Sequence, residues 1–223
     1  MKGKWYLIPV TLIGICMLFA GIVRLSYTEN VSKELYDYQY ETESEDWNKI
    51  FQENKISGPD DLLSQSDLVA KIQFDGERII RSNAFYSSVK VENVYKGNSA
   101  LKGQSIILTE TVSVFQSTRF LNASATMKMW VPLSTGFEYI VLLKKIPFSA
   151  QRIQNDFQKR QYYPITNSPA GCYLLENKNS RALKKGETTT LETLRGQPLY
   201  TFDQQQMNTY YTLEKAIFNK LGI

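Results

Sequence analysis

Histidine is absent from all 223 residues of the chain. This absence excludes Ser-His-Asp and Cys-His hydrolases and His-ligated zinc sites, and it removes the usual general base near neutral pH. It also predicts that few side chains titrate between about pH 5.5 and 7.5, unless the pKa of a carboxylate or lysine is strongly shifted. We therefore expect the stability of the fold to be nearly flat over that range.

Cysteine is almost as scarce, since only Cys16 and Cys172 are present. Cys16 falls in an apolar N-terminal segment, so no intrachain disulfide with Cys172 is expected, and Cys172 is predicted to be a small buried hydrophobe. Cysteine-rich metal sites are excluded, and no calcium loop of spaced Asp or Asn ligands with a glycine is found. The sequence therefore predicts no metal and no cofactor.

Two sequences match the Ser-x-x-Lys motif of histidine-free catalysis. Ser87-Ser88-Val89-Lys90 falls in a predicted strand, where positions i and i+3 point to opposite faces, and Ser99-Ala100-Leu101-Lys102 falls in a predicted turn. The loop at 97–103 lacks the Gly-Lys-Ser/Thr ending of a phosphate-binding loop. The sequence therefore predicts no catalytic residue and no cofactor-binding residue.

Charge is missing from one long run near the N-terminus, Trp5 to Val23, which follows Lys2 and Lys4 and precedes Arg24. Its nineteen residues would form a helix of about 28 Å, close to the hydrocarbon thickness of a bilayer. The run predicts a membrane anchor over residues 1–24. The lysines predict a cytoplasmic N-terminus, so we expect a single-pass protein of the cell membrane with its remaining residues outside.

Two other interpretations of this segment are a cleaved signal peptide and a lipidated cysteine. A cleavable signal has a shorter apolar core followed by a small-x-small site, and the residues after Phe19 contain no Ala-x-Ala sequence. Lipidation of Cys16 would need a small residue before it, where the chain has Ile15. A retained anchor is therefore the favoured interpretation.

The charges after the anchor are unevenly distributed. Residues 29–61 carry ten acidic and three basic groups, whereas residues 62–223 carry twelve acidic and twenty basic groups. This pattern indicates an acidic stalk, residues 25–58, below a basic domain. The basic domain is either simply solvated, or it meets an anionic surface such as lipid headgroups or a wall polymer.

The stalk contains signals for two elements. Tyrosines at 36, 38 and 40 alternate as in a strand, but the flanking charges favour a stalk there. Thr42-Glu43-Ser44-Glu45 fits a capping box, with Trp47, Ile50 and Phe51 following at helical spacing. A short helix to about Asn54 is predicted, and Ser57–Asp60 predicts the start of a second one.

Residues 59–200 are predicted to form a β-barrel domain, because short runs either alternate between apolar and polar residues or, at Tyr139–Leu143, are apolar on both faces, and turn residues such as Asp75-Gly76 separate them. The predicted strands are Leu68–Phe74, Phe85–Glu92, Ile106–Thr109, Tyr139–Leu143, Tyr162–Thr166 and Gly171–Leu175. This pattern is typical of a mainly β fold, a small closed antiparallel barrel with flanking helices. Residues 201–223 predict a C-terminal amphipathic helix that starts near Asp203 and packs on the barrel.

Four segments resemble OB-like barrels on exported or membrane-anchored proteins of Gram-positive bacteria. The similarity covers roughly residues 61–175, and the stretch at 113–131 departs from it. It implies an OB-like fold and assigns no activity. The segments are Asp61-Leu62-Leu63-Ser64-Gln65-Ser66-Asp67-Leu68-Val69, Val91–Gly97 followed by Leu101-Lys102-Gly103, Pro132–Leu143, and Ala170-Gly171-Cys172-Tyr173-Leu174.

Three functions fit these features. The first is a non-enzymatic interaction module at the bacterial cell surface, with another envelope protein or an anionic wall polymer as its partner. The second is a histidine-free envelope enzyme acting on glycan or peptide, and the third is an inhibitor-like module similar to netrin-type barrels. An ionisable cluster in a deep cleft would favour the enzyme, whereas a flat basic or aromatic patch would favour the interaction module.

Nucleic acid is not expected as a partner, although some small barrels bind it through aromatic and basic faces. Export of the domain makes such a partner implausible. The residues that would form a face of this kind are Phe85, Tyr86, Lys90, Tyr95 and Lys96.

Overall fold

The computed structural model describes residues 11–22, 39–42, 46–81, 84–115, 124–127, 130–147, 155–176, 189–201 and 203–223. The chain divides into two compact units, residues 1–37 and residues 38–223. In the first unit, helix α1 covers residues 11–22, and all of its side chains are exposed.

None of the described helices is long and apolar enough to cross a membrane. The predicted span Trp5–Val23 extends beyond the described part of α1 at both ends, and residues 25–38 and 43–45 of the predicted stalk also lie outside the described residues. The membrane anchor therefore stays a prediction.

The second unit contains the other helices and the strands that the structure describes. Its helices are α2 (Trp47–Glu53), α3 (Pro59–Gln65), α4 (Asp156–Lys159), α5 (Leu191–Leu194) and α6 (Gln204–Leu221). Its strands are β1 (Gln39–Thr42), β2 (Leu68–Arg81), β3 (Ala84–Lys96), β4 (Ser105–Glu110), β5 (Val112–Phe115), β6 (Ser124–Met127), β7 (Glu138–Lys145), β8 (Gln161–Pro164) and β9 (Cys172–Leu174).

Five strands close into a barrel in the order β2-β3-β4-β8-β7, and β7 pairs back onto β2 with Leu68 opposite Leu143. The predicted mainly β fold, a closed barrel with flanking helices, is therefore confirmed. The prediction that the barrel is antiparallel is wrong for one strand pair, because β4 and β8 run parallel with Ile107 opposite Gln161. Some fifty residues separate β4 from β8, and a connection of this length permits a parallel pairing that a hairpin cannot make.

Strand β2 is longer than its sequence pattern predicted. The residues Asp75-Gly76 were predicted to be a turn, but β2 continues through them with a register shift between Phe74 and Arg78. Gly76 takes a positive φ of 96° at this irregularity. A shift of this kind bends a strand and increases its twist, which helps one strand to pair with both β3 and β7.

A second, three-stranded sheet has the order β1-β6-β5. Its strand β1 runs parallel to β6, with Gln39 opposite Ser124. The stalk prediction is therefore wrong for residues 39–42. The reason is a long-range contact, because the backbone of these residues pairs with β6 in the stretch 113–131. The sequence pattern had predicted no strand in that stretch.

The helices agree more closely with the sequence. Helix α2 ends at Glu53, one residue before the predicted end near Asn54, and its N-cap is Asp46, whose carboxylate accepts hydrogen bonds from the amides of Asn48 and Lys49. Helix α6 begins after Asp203, and Tyr210 on it donates a hydrogen bond of 2.8 Å to the carbonyl of Cys172. Both Tyr210 and Cys172 are buried, so α6 packs against the segment around β9.

Candidate functional site

The barrel interior contains one fully buried carboxylate, that of Glu110 at the end of β4. Alternation along β4 turns Ile106, Leu108 and Glu110 to the same, inner face. One carboxylate oxygen of Glu110 accepts hydrogen bonds from Arg78 at 2.9 Å and from the Ser87 hydroxyl. The other accepts bonds from the Trp130 indole at 3.1 Å and from the Leu133 amide at 2.7 Å.

Arg78 of β2 completes this network. Its guanidinium donates to the Ser87 hydroxyl at 2.8 Å and to the Leu133 carbonyl at 2.7 Å. The guanidinium carbon also lies 4.5 Å from the ring centroid of Phe74 and 5.4 Å from that of Phe85. The network joins β2, β3, β4 and the segment before β7. Because its carboxylate is buried and bonded on both oxygens, we assign it a structural role.

The two Ser-x-x-Lys matches do not form paired sites. Ser87 is fully buried inside the barrel, whereas Lys90 is exposed on the outer face and pairs with Glu92 at 3.0 Å. This arrangement confirms the expectation that the two side chains of the first match lie on opposite faces. Ser99 and Lys102 are both exposed around a short 3-10 helix.

The outer face of the barrel carries an aromatic contact. The rings of Tyr86 on β3 and Phe157 on α4 lie 5.7 Å apart, nearly edge to face. Ile79, which pairs with Tyr86 across the β2–β3 hairpin, is 46% exposed although it is a large apolar residue. We call Ile79, Tyr86, Phe157, Lys145 and Lys159 the Tyr86–Phe157 surface.

The basic part of this surface adjoins the aromatic part. The Lys145 ammonium bonds to the Lys159 carbonyl and lies 4.4 Å from the centroid of the Tyr162 ring. Lys159 follows Phe157 on α4, and its side chain is 60% exposed beside Asp156. Exposed Arg160 comes next, with its carbonyl bonded to the Ile107 amide. Aromatic and cationic groups thus lie side by side on this part of the barrel.

The residues considered for a nucleic-acid face do not share one surface. Phe85 is fully buried inside the barrel, whereas neighbouring Tyr86 faces outward. The Lys96 ammonium is engaged by the carbonyls of Leu63 and Ser64 at the end of α3, at 2.7 and 2.6 Å.

A second unusual carboxylate, Glu214, lies on α6. It is partly buried, and burial raises its pKa to about 7. Burial also raises the pKa of Tyr173 and Tyr210, and the Glu214 carboxylate adds to both shifts. Glu214 follows Tyr210 by about one turn of α6, so it lies close to the aromatic cluster beneath this helix.

Metal binding receives no support in the described part of the chain, where no group of three or more Cys, Asp or Glu side chains is placed to hold an ion. Comparison of the chain with protein-family models, with curated proteins and with solved structures found no match.

Sequence reasoning missed Arg78, Glu110 and Glu214, although the chain contains a signal for two of them. Glu110 follows Ile106 and Leu108 in strict alternation, so the pattern places a charge on the inner face. Glu214 comes four residues after Tyr210 and three before Ile217, so helical spacing places it among apolar residues. In both cases a charged residue occupies a position where the pattern predicts an apolar one, and this mismatch identifies Glu110 and Glu214.

Proposed function

We propose that this chain is a membrane-anchored protein of the bacterial cell surface whose OB-like barrel is a non-enzymatic interaction module. Its partner is an anionic wall polymer. A single N-terminal helix, with its N-terminus in the cytoplasm, holds the barrel outside the membrane.

Strand order supports the OB-like assignment. β2, β3 and β4 form a meander of consecutive antiparallel strands. β7 then returns to pair with β2, and β8 closes the barrel between β4 and β7. A five-stranded barrel of this size, with helices between and after its strands, is what the OB-like resemblance implies.

Helix α1 supports the anchor. Its described residues, 11–22, carry no charge and are all exposed, including Leu18 at 68% and Phe19 at 66%. A helix whose side chains are apolar and exposed is favoured in lipid rather than in water. The charge-free run from Trp5 to Val23 supplies the length that a spanning helix needs.

The Tyr86–Phe157 surface is the observation that carries the binding proposal. Exposed lysines attract the phosphates of a wall polymer, while Ile79, Tyr86 and Phe157 offer apolar area to its backbone. The net charge of residues 62–223 is positive, which adds a long-range attraction to the same polymer.

The proposal is tested with the full chain in nanodiscs and a synthetic poly(glycerol phosphate) as the probe, with uncharged dextran for comparison. Reversing the charges by K159E together with R160E is expected to weaken polymer binding by at least about tenfold at low salt. Both side chains are exposed, so the fold should persist.

The matched control is R195E together with K215E, which reverses two exposed charges on other elements. Equal weakening in both double variants would mean that net charge alone binds the polymer, and the Tyr86–Phe157 surface would not be the site. Equal binding of dextran and polymer would overturn the anionic partner.

A further inference from the structure

Glu214 differs from every other carboxylate that is at least half-buried in the described residues. Each of the others accepts a hydrogen bond or forms an ion pair: Asp61 with the Ser57 amide, Glu92 with Lys90, Glu110 with Arg78, Glu138 with Lys71, and Asp203 with the Gln205 amide. Glu214 forms neither among the described residues. A partly buried carboxylate without a partner is energetically unfavourable.

The position of Glu214 on α6 makes this lack of a partner more unusual. At 3.6 residues per turn it lies about 40° around the helix from Tyr210 and about 60° from Ile217. Both of those residues are fully buried. Glu214 therefore lies next to buried residues of the apolar face of α6, although the residue itself is only partly buried.

Aromatic rings surround this part of the helix. The ring centroid of Tyr210 lies 6.4 Å from that of Trp47 on α2 and 5.5 Å from that of Tyr211. The ring centroids of Phe218 and Tyr173 are 6.2 Å apart. The Trp47 indole nitrogen is itself buried without a hydrogen-bond partner in the described residues. The aromatic cluster around Tyr210 therefore contains two polar groups, the Trp47 indole N–H and the Glu214 carboxylate, that have no hydrogen-bond partner among the described residues.

We propose that Glu214, together with the half-buried rings of Tyr211 and Phe218, binds a lysine or arginine side chain of a partner protein. A carboxylate beside aromatic faces suits a cationic group, because the rings and the carboxylate attract the same charge. The site repels an anionic polymer, so its partner is distinct from that of the Tyr86–Phe157 surface.

In the part of the chain that the structure describes, the lysines on and near α6 do not fill the site. Lys215 is exposed and lies about 100° around α6 from Glu214. Lys220 pairs with Asp60 of α3 at 2.8 Å, and Lys49 on α2 lies beside Glu53. Among the described residues, therefore, no lysine or arginine pairs with the Glu214 carboxylate.

The test uses the full chain in nanodiscs and two peptides, acetyl-Gly-Lys-Gly-amide and the same peptide with norleucine in place of lysine. Binding is followed by NMR, which also reports the pKa of Glu214. At about pH 8 the lysine peptide should bind at least tenfold more tightly than the norleucine peptide. It should also lower the pKa of Glu214, because a bound cation favours the carboxylate.

The variant E214Q should lose this preference for lysine, whereas E192Q, which changes an exposed glutamate on α5, should retain it. E214Q removes an unpaired charge, so folding is not endangered. Equal binding of the lysine peptide to the wild type and to E214Q, or no binding of it at about 10 mM, would overturn the proposal.

Discussion

The guanidinium of Arg78 and the carboxylate of Glu110 lie 2.9 Å apart inside the barrel, with side chains only 9% and 0% exposed. The two residues belong to β2 and β4, which are separated in the barrel by β3. The Ser87 hydroxyl on β3 bonds to both of them. One buried network therefore spans three adjacent strands.

Replacing Glu110 with alanine is expected to destabilise the fold by about 3–5 kcal/mol, because Arg78 is then buried without its charge partner. Urea denaturation measures the loss. The control is E138A, which breaks the half-exposed pair with Lys71 and should cost about 0–1 kcal/mol. Equal losses in the two variants would contradict a structural role for the buried pair.

Glu214 gives the fold a pH dependence that the missing histidines alone would not predict. Its pKa rises through burial from 4.5 to about 7, so the folded state binds its proton more tightly than the unfolded state does. The contribution of Glu214 to the free energy of unfolding is therefore largest below about pH 4.5, and it is lost as the pH rises through 7.

The measurement is the melting temperature between about pH 5.5 and 8.5. The wild type should lose stability across this range, and E214Q should be flatter and more stable at the alkaline end. Wild-type and E214Q curves of the same slope would show that Glu214 does not titrate in this range.

Gly97 directly follows β3, and a methyl group added at this residue would collide with the backbone of a neighbouring segment. A Cβ there would lie 2.5 Å from the Asp67 carbonyl oxygen, and the residue has a φ of +105°. We expect G97A to cost about 1–3 kcal/mol more than G103A. Gly103 also has a positive φ, but nothing lies within 4 Å of its Cβ position. Similar losses in urea denaturation would contradict the close contact at Gly97.

Truncation after Asp203 should leave the remaining domain unfolded or insoluble. It removes α6, whose Met207, Tyr210 and Ile217 are buried, and each such side chain contributes about 1.5–3 kcal/mol toward a typical total of about 5–15 kcal/mol. Circular dichroism and solubility are the measurements. A truncated chain that melts like the full one would make α6 a docking element.

The anchor is tested by fractionating cells. The full chain should remain with membranes after a high-salt wash, and a protease added outside should digest its C-terminal part. Release of a mature form starting near residues 24–27 would show that the N-terminal segment is cleaved.

Local patterns predicted the individual elements well. Alternation of apolar residues located β3, a continuous apolar run located β7, and helical spacing located α2 and α6. Pairings over long distances were not predictable in the same way. Strand β1 forms only because β6, more than eighty residues later, offers it a backbone partner, and a four-residue polar segment carries no local signal of that partner.

The candidate sites were less predictable than the fold. The sequence placed Tyr86 in a strand, but its contact with Phe157 depends on how α4 returns to the barrel. The charge pattern marked the domain as basic without selecting which lysines adjoin aromatic rings. The contact between these groups depends on the barrel's closure, because they come from β3, β7 and α4.

The sequence by itself determined the barrel strands, the terminal helix, the buried Cys172 and the exclusion of histidine chemistry, because these follow from composition and from the spacing of neighbouring residues. The tertiary structure alone decided the parallel β4–β8 pairing, the Arg78–Glu110 network and the partial burial of Glu214. Each of these depends on groups far apart in the chain. Whether a charge is paired, and how much water reaches it, is settled only when those groups meet.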